Sequence, residues 1–451
     1  MTSVSAKQFA IALYLEHLEE ASFLYEQHLG LSDDPELTWL DVEDFEDRFE
    51  PHIDGLVVGE ELALEVCKQR AVEGDFGELH AAMRVFCRQK RLDLIFEVLE
   101  EIDPEDEESI KAVGDAFNDE LPDEWRGDFI GLLGEHNEKL NAILPRLIGY
   151  RRIDAGKNLL HILEQNGAAP NPVSIWALGR LGDQQAKNFL FHKCLRQENE
   201  AVAREAALAL LRMGEMQALQ VCRQAAETQD WPIIFLGLGE SRKVASFLLQ
   251  IANSERVNAD CLFALGLLGE ASAVEALLAH LESADLAEAA SWALNLITGA
   301  EIYEDVFIPE EIDEDELFEE ELEKLKRGEP LYPSGEEPGT ELNRLSQNAA
   351  DWRHWWTQNQ KNFQPGVCYR NGEPYSPASL LQNLLHERSP HRVRQLVAEE
   401  IVIRYGFDFH FEADMFVPQQ KRALAKLAQI IEARGKEFEE GRWYFAGRLA
   451  V

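Results

Sequence analysis

Residues 262–269 read Leu-Phe-Ala-Leu-Gly-Leu-Leu-Gly, and four similar phrases occur between residues 173 and 299. Their closing glycines are Gly182, Gly214, Gly239, Gly269 and Gly299, which lie 32, 25, 30 and 30 residues apart. A period near thirty residues is typical of stacked helix pairs. Each phrase therefore predicts a helix of leucines and small residues that ends at a glycine able to adopt positive φ.

A second, amphipathic helix is predicted after the closing glycine. Residues 273–281, for example, place apolar side chains at i, i+3, i+4 and i+7. Neither helix of a pair can bury its apolar face alone, whereas stacked pairs share a continuous core. We therefore expect an all-α chain in which residues 171–300 form a HEAT-like α-solenoid and residues 54–170 form less regular helical repeats.

The flanking segments differ from this array in composition. We expect an N-terminal helix and an acidic connection over 1–53, and an acidic flexible insertion over 301–345. Residues 346–451 are expected to hold a Trp-rich helix, a small hairpin and further repeat-like helices. The hairpin is predicted at Asn371-Gly372, because this dipeptide favours a two-residue β-turn. Ser376-Pro377 then provides an N-cap and a first-turn proline for the next helix.

The net charge of −40 is concentrated in three windows. Residues 33–65 hold 13 acidic and 1 basic residue, residues 97–138 hold 16 and 2, and residues 301–341 hold 17 and 3, while the rest of the chain balances. Nucleic acids and anionic membranes are recognised through an excess of Lys and Arg, so this composition argues against both as partners. Acidic windows on a neutral body instead favour a protein partner with a basic surface.

The acidic insertion is the first candidate for partner binding. Residues 308–323 alternate acids with isolated Ile, Leu and Phe, which is too charged a pattern for a core helix. The segment is either a solvated linker or a docking segment for a basic partner. The residues assigned to docking are Glu310, Glu311, Asp313, Asp315 and Phe318. As an alternative, the cluster Arg388, His391, Arg392 and Arg394 would hold the insertion within the molecule.

The second candidate is an aromatic stripe. Trp352, Trp355 and Trp356 lie at i, i+3 and i+4, with Arg353 beside them. Exposed tryptophans often anchor a partner, so these four residues are candidates for partner binding. A stripe at helical spacing more often packs into the core, where it would close the end of the solenoid.

The sequence assigns no catalytic, cofactor-binding or metal-binding residue. The HExxH, GxSxG, P-loop and GxGxxG motifs are absent. Asp408, His410, Glu412 and Asp414 alternate with aromatic residues and could face one side of a strand, but one imidazole makes a packed edge segment the preferred interpretation. Cys194, Cys222 and Cys261 lie in apolar repeat phrases and are interpreted as packed thiols.

The C-terminal part resembles a known family. Residues 352–359 read Trp-Arg-His-Trp-Trp-Thr-Gln-Asn, and residues 363–374 read Phe-Gln-Pro-Gly-Val-Cys-Tyr-Arg-Asn-Gly-Glu-Pro. With the acidic insertion before them and residues 17–25 near the start, they resemble an uncharacterised proteobacterial family of HEAT-like proteins over nearly the whole chain. Members occur beside type VI secretion genes, and no catalytic residues are defined for them. The resemblance implies a role in secretion or effector loading.

We therefore expect a non-catalytic scaffold or adaptor without cofactor, which binds a type VI secretion component or an effector. We expect it in the cytoplasm, because the sequence shows neither a secretory signal nor an apolar run of about 18 residues. One alternative is an immunity protein against a secreted toxin. Another is an enzyme of the bilin-lyase type, since residues 173–299 alone also resemble phycobilin lyases.

Overall fold

The structure is a computed structural model that describes residues 5–31, 34–134, 138–165, 170–309, 317–327, 331–332 and 338–450. Helices dominate these ranges, so the prediction of an all-α chain is confirmed. The strands of the described part form three separate two-stranded antiparallel ribbons.

The chain begins with α1 (Ala6–Leu31), α2 (Val42–Val58) and α3 (Glu60–Glu73). The following helices are α4 (Phe76–Arg88), α5 (Leu92–Glu101), α6 (Glu107–Glu120), α7 (Arg126–Gly131), α8 (Glu138–Tyr150), α9 (Gly156–Gln165), α10 (Pro172–Leu181), α11 (Lys187–Phe189), α12 (Glu200–Arg212), α13 (Met216–Ala225), α14 (Ile233–Gly239), α15 (Ala245–Ala252), α16 (Ala259–Leu268), α17 (Val274–Ala279) and α18 (Ala287–Thr298). The even-numbered helices from α4 to α18 form a row in which each helix packs against the next. We call this the helix row.

Asparagine side chains cap the N-termini of three helices in the helix row. The Asn171 side chain accepts a hydrogen bond from the Val173 backbone N–H at the start of α10. Asn199 and Asn258 cap α12 and α16 in the same way. These caps satisfy backbone donors that have no partner within the helix, so the sequence marks where each helix begins.

Most of the closing glycines adopt the predicted conformation. Gly182, Gly214, Gly269 and Gly299 have positive φ. Gly239 differs, because it is the last residue of α14 and the chain leaves the helix through the extended Glu240. The exception falls at the end of the 25-residue step, where the repeat is shortest.

Small residues let neighbouring helices of the row approach closely. A Cβ atom on Gly237 of α14 would lie 2.5 Å from Cα of Ala264 in α16. A Cβ atom on Gly266 of α16 would lie 2.8 Å from Cα of Ala293 in α18. Both distances are far shorter than a normal carbon–carbon contact, so the glycines are required by the spacing of the helices.

The C-terminal elements are β1 (Tyr303–Pro309), α19 (Glu319–Lys326), β2 (Gly339–Leu345), α20 (Ala349–Asn359), β3 (Tyr369–Arg370), β4 (Glu373–Pro374), α21 (Pro377–Leu385), α22 (His391–Glu400), α23 (Val417–Arg434), β5 (Tyr444–Phe445) and β6 (Arg448–Leu449). Strands β3 and β4 pair on either side of Asn371-Gly372, which confirms the predicted hairpin. Ser376 caps α21 and Pro377 occupies its first turn, again as predicted.

The ends of the acidic insertion are ordered strands, which the sequence analysis did not predict. Strands β1 and β2 pair antiparallel from Tyr303 opposite Leu345 to Pro309 opposite Gly339. Side-chain contacts join the two strands at the base of the ribbon, because Glu304 accepts hydrogen bonds from Arg344 Nε and from the Gln347 backbone N–H. The prediction that residues 301–345 are flexible throughout is therefore wrong for these two strands.

Candidate functional site

The C-terminal part of the chain runs back along the helix row, from α18 towards α2. The contacts in chain order are Tyr369 N–H to Gly269 O at 2.8 Å, Asn371 N–H to Leu296 O at 2.8 Å, Arg404 Nη2 to Gly237 O at 2.7 Å, His410 Nε2 to Tyr150 O at 2.5 Å and Val417 N–H to Glu46 Oε2 at 2.9 Å. One face of the helix row is therefore covered by the chain itself.

Buried ion pairs hold this returning segment. Glu399 of α22 lies 2.6 Å from Arg180 and 2.6 Å from Arg212, which belong to α10 and α12. Burial alone would raise the pKa of Glu399, but the two guanidinium groups more than offset it and lower the pKa to about 2. Glu412 lies 2.7 Å from Arg180 and 3.1 Å from Arg152. Glu399 is thus ionised across the neutral pH range.

A fully buried cluster fixes the start of the same segment. Glu400 accepts hydrogen bonds from Arg370 at 2.9 Å, from Arg404 at 3.1 Å and from the Tyr375 hydroxyl at 2.6 Å. Its side chain and both arginines are 0% exposed. Such a cluster is costly to desolvate, and it stays folded because every charge has an opposite charge beside it.

A cavity of about 1120 Å³ lies where the returning segment meets the first helices. Its walls come from α1, α2, α4, α6 and α8, from α16 and α18, from the β1–β2 ribbon, and from two stretches, 387–394 and 413–420. We call it the larger cavity. Its volume is in the upper range for small-molecule sites, and its walls bring together both ends of the chain.

The larger cavity has a polar wall on α1, α4 and α6. The Tyr25 hydroxyl donates to Asp115 Oδ2 at 2.9 Å, and Lys111 Nζ lies 2.6 Å from the same atom. His80 stacks on the Tyr25 ring at 3.7 Å, and its Nδ1 has no hydrogen-bond partner in the described part of the chain. Burial lowers the pKa of His80 well below its usual value, so this imidazole is neutral. Burial also raises the pKa of Asp119 to about 7.

The opposite wall carries basic side chains of the segment 387–394. Arg388 donates to Asn343 Oδ1 at 2.5 Å and lies over the Tyr303 ring at 4.6 Å. Arg388 thus contacts the base of the insertion through a neutral amide and an aromatic ring, and pairing of the basic cluster with the acids of the insertion stays a prediction. Arg392 pairs with Asp260 and lies 4.4 Å from the Phe263 ring centre. These two side chains are thus used within the fold.

A smaller cavity of about 310 Å³ adjoins the first and shares Arg146, Arg392 and Asp414 with it. Glu205 of α12 lines it, and one of the Glu205 carboxyl oxygens has no hydrogen-bond partner within the described ranges. Burial raises the pKa of Glu205 to about 7. This carboxyl group therefore changes charge near neutral pH.

The tryptophan stripe belongs mainly to the core. Trp352 and Trp356 are buried, and the Trp352 indole N–H donates to Ser346 O at 2.7 Å. Partner binding through these two rings is contradicted by their burial, because the apolar stripe packs inward. Trp355 is half-buried against Phe363, and Arg353 is exposed at 3.9 Å from Glu282. For Trp355 and Arg353, partner binding stays a prediction.

Of the residues assigned to docking in the insertion, the structure describes Phe318. Phe318 is 78% exposed, as a docking side chain requires. Glu310, Glu311, Asp313 and Asp315 lie outside the described residues.

Residues 408–414 form the packed segment that the sequence analysis preferred. Phe407, Phe409 and Phe411 are buried, while Asp414 pairs with Arg146. In the described residues no group of three or more metal-ligating side chains comes together. Cys194, Cys222 and Cys261 are buried as predicted, and burial raises the pKa of each thiol to about 12.

Sequence reasoning missed the residues that bind the returning segment. Arg180 and Arg212 each stand two residues before a closing glycine, inside an otherwise apolar phrase. A charged residue repeated at one position of a buried pattern was the available signal. Their partners Glu399 and Glu412 lie about 200 residues further along the chain, where no local pattern links them to the row.

The fold and the site define a mostly helical protein with a cavity between its first helices and its C-terminal part. A comparison with known protein families finds no matching family, and a search of curated proteins finds no match. None of the helices in the described ranges is long and apolar enough for a bilayer crossing.

Proposed function

We propose that this chain is a HEAT-like α-solenoid that acts without catalysis as a cytoplasmic scaffold or adaptor. Its partner is a protein with a basic surface, either a type VI secretion component or an effector. The secretion context rests on the family resemblance alone. The row of packed helices and its acidic outer surface support the binding role.

The observation that carries the proposal is an exposed acidic patch between α5 and α6. The patch consists of Glu100, Glu101, Glu105, Glu107 and Glu108, all exposed. Other acids in this part of the chain form ion pairs, such as Glu97 with Lys68 and Glu124 with Lys90. The patch acids form no such pair within the described residues. Their negative potential is therefore available to attract a basic partner.

The face of the helix row covered by the returning segment is less suited to partner binding. A partner there would have to displace buried ion pairs such as Glu399 with Arg212. Breaking a buried pair is strongly unfavourable. The proposal therefore places the partner on the outer acidic surface, together with Phe318 and the acidic insertion.

The test is a pull-down from a native host with crosslinking mass spectrometry. We expect recovery of a secretion protein or an effector, with crosslinks near residues 100–108 or 310–327. Binding should weaken as salt rises, because exposed charges are screened. Recovery of no such protein, together with complexes that salt leaves unchanged, would contradict the proposal.

A charge-matched pair of variants sharpens this test. In the first, the five glutamates of the patch are changed to Gln. In the control, five exposed glutamates elsewhere are changed to Gln, namely Glu198, Glu227, Glu255, Glu275 and Glu432. Both variants lose the same charge, but only the first should slow association, by about tenfold or more. If both variants associated equally slowly, the overall charge of the protein rather than the patch would set the association rate.

The larger cavity is the observation that favours a second candidate, an enzyme of the bilin-lyase type. Its volume of about 1120 Å³ suits a large organic ligand. Incubation with linear tetrapyrroles should then shift their absorption spectrum. An unchanged spectrum would remove this candidate and leave the adaptor.

A further inference from the structure

Arg394 of α22 lines the larger cavity and is 1% exposed. The Trp39 ring lies over its guanidinium group, with 3.7 Å between the guanidinium carbon and the ring centre. Its Nη2 donates to Gln420 Oε1 at 2.5 Å. Its Nε and Nη1 donate to no described residue. A buried cation at a cavity wall thus retains unused donors.

Arg394 also lacks a counter-charge in the described part of the chain. Three carboxylates on the walls of the same cavity are engaged elsewhere. Glu46 accepts from the Val417 N–H, Asp414 pairs with Arg146, and Asp115 accepts from Tyr25. With no acid beside it, burial lowers the pKa of Arg394 to about 9.

Other buried arginines of this protein show the contrast. Arg404 is 0% exposed and lies 3.1 Å from Glu400, and Arg180 lies 2.6 Å from Glu399. A buried cation without an opposite charge is much less favourable than a paired one. The fold bears this cost at Arg394, beside a cavity large enough for an organic molecule.

We propose that Arg394 anchors a binding site for a small organic anion in the larger cavity. The ligand carries a carboxylate or phosphate group, which supplies the negative charge that the buried guanidinium group lacks. Trp39 orients the guanidinium group by stacking on it. Arg388 and Arg392 line the same wall and add positive potential. This site is independent of the proposed adaptor role.

The test is isothermal titration calorimetry of the full chain with inorganic phosphate, pyrophosphate and citrate. We expect at least one of them to bind, and Arg394→Met to weaken that binding by tenfold or more. The control is Arg223→Met, which removes an equal charge at an exposed position and should leave binding unchanged.

Thermal unfolding without added anion separates a binding role from a structural one. Arg394→Met should keep or raise the melting temperature, because it removes an unpaired buried charge. Arg212→Met should lower it, because it removes one of the two cations beside the buried Glu399. A clear fall for Arg394→Met would overturn the proposal, since it would show that the fold itself satisfies this charge.

If the protein binds none of the three anions, or if Arg394→Met binds as tightly as the unaltered protein, the proposal is wrong.

Discussion

Single buried charged residues hold the returning C-terminal segment against the helix row. Glu399 is the clearest case, because it touches two arginines of different helices while nearly buried. A buried carboxylate contributes stability only while its cationic partners remain, and removal of one side leaves the other uncompensated. The stability of the covered face should therefore respond strongly to small changes at this residue.

We expect Glu399→Gln to lower the free energy of unfolding at pH 7 by about 2–4 kcal/mol, because Arg212 loses its charged partner. The folded-state pKa of about 2 lies below the ordinary value, so the ionised form stabilises the fold above pH 4.5. This contribution is lost as the pH falls towards 2. Urea unfolding at pH 7 and at pH 3 should show a smaller deficit at pH 3. The exposed Glu432→Gln should show no deficit at either pH.

Glu205 should have the opposite pH dependence. Its folded-state pKa of about 7 lies above the ordinary value, so the folded protein binds a proton more tightly than the unfolded chain. Stability therefore falls as the pH rises from 4.5 to 7. Glu205→Gln should be about 1–3 kcal/mol more stable than the unaltered protein at pH 8 and nearly equal to it at pH 4.5. Urea unfolding provides the measurement, and equal free energies of unfolding for Glu205→Gln and the unaltered protein at pH 8 would contradict this prediction.

At the level of elements, the spacing of neighbouring helices depends on small residues. Gly237 of α14 faces the backbone of Ala264 in α16. Gly114 of α6 is also helical, but a Cβ atom there would meet no atom within 4 Å. Both glycines are therefore helical, but only Gly237 is closely packed against a neighbouring helix.

We expect Gly237→Ala to destabilise the protein by about 1–3 kcal/mol, because the added methyl group forces α14 and α16 apart. Gly114→Ala should be neutral or stabilising by up to about 1 kcal/mol, since alanine is the better helix former. Thermal unfolding of both variants provides the measurement. A loss of similar size for both would mean that backbone flexibility, rather than helix spacing, is responsible.

At the level of the whole molecule, the two ends of the chain meet at α2 and α23. Glu46 of α2 accepts hydrogen bonds from the backbone N–H of Val417 at 2.9 and 3.1 Å. Nearby, Trp39 Nε1 donates to His386 O at 3.2 Å. These contacts join residues more than 340 positions apart.

We expect Glu46→Ala to weaken this junction, because the first N–H of α23 loses its acceptor. Hydrogen exchange should speed up at residues 417–424 and 42–58 together, with little change at α14. Glu43→Gln is the matched control, since Glu43 pairs with Lys421 at a more exposed position of the same contact. Faster exchange at residues 417–424 alone would show that the two helices are not coupled.

The repeated phrases with their closing glycines and the Asn371-Gly372 turn were sufficient to predict the helices of the repeat array, most of their C-terminal ends and the small hairpin. These features depend on neighbours within a few residues, so local propensity and periodicity encode them. The burial of Trp352 and of the cysteines followed from the same periodicity.

The return of residues 369–417 along the helix row was decided by the tertiary structure alone. Its contacts pair Glu399 with Arg180 and Glu46 with Val417, at separations that no local pattern records. The cavity and the unpaired Arg394 exist only once both ends of the chain have met. Local sequence determines which helices form, because their hydrogen bonds are local, whereas the site depends on which distant charges become neighbours on burial.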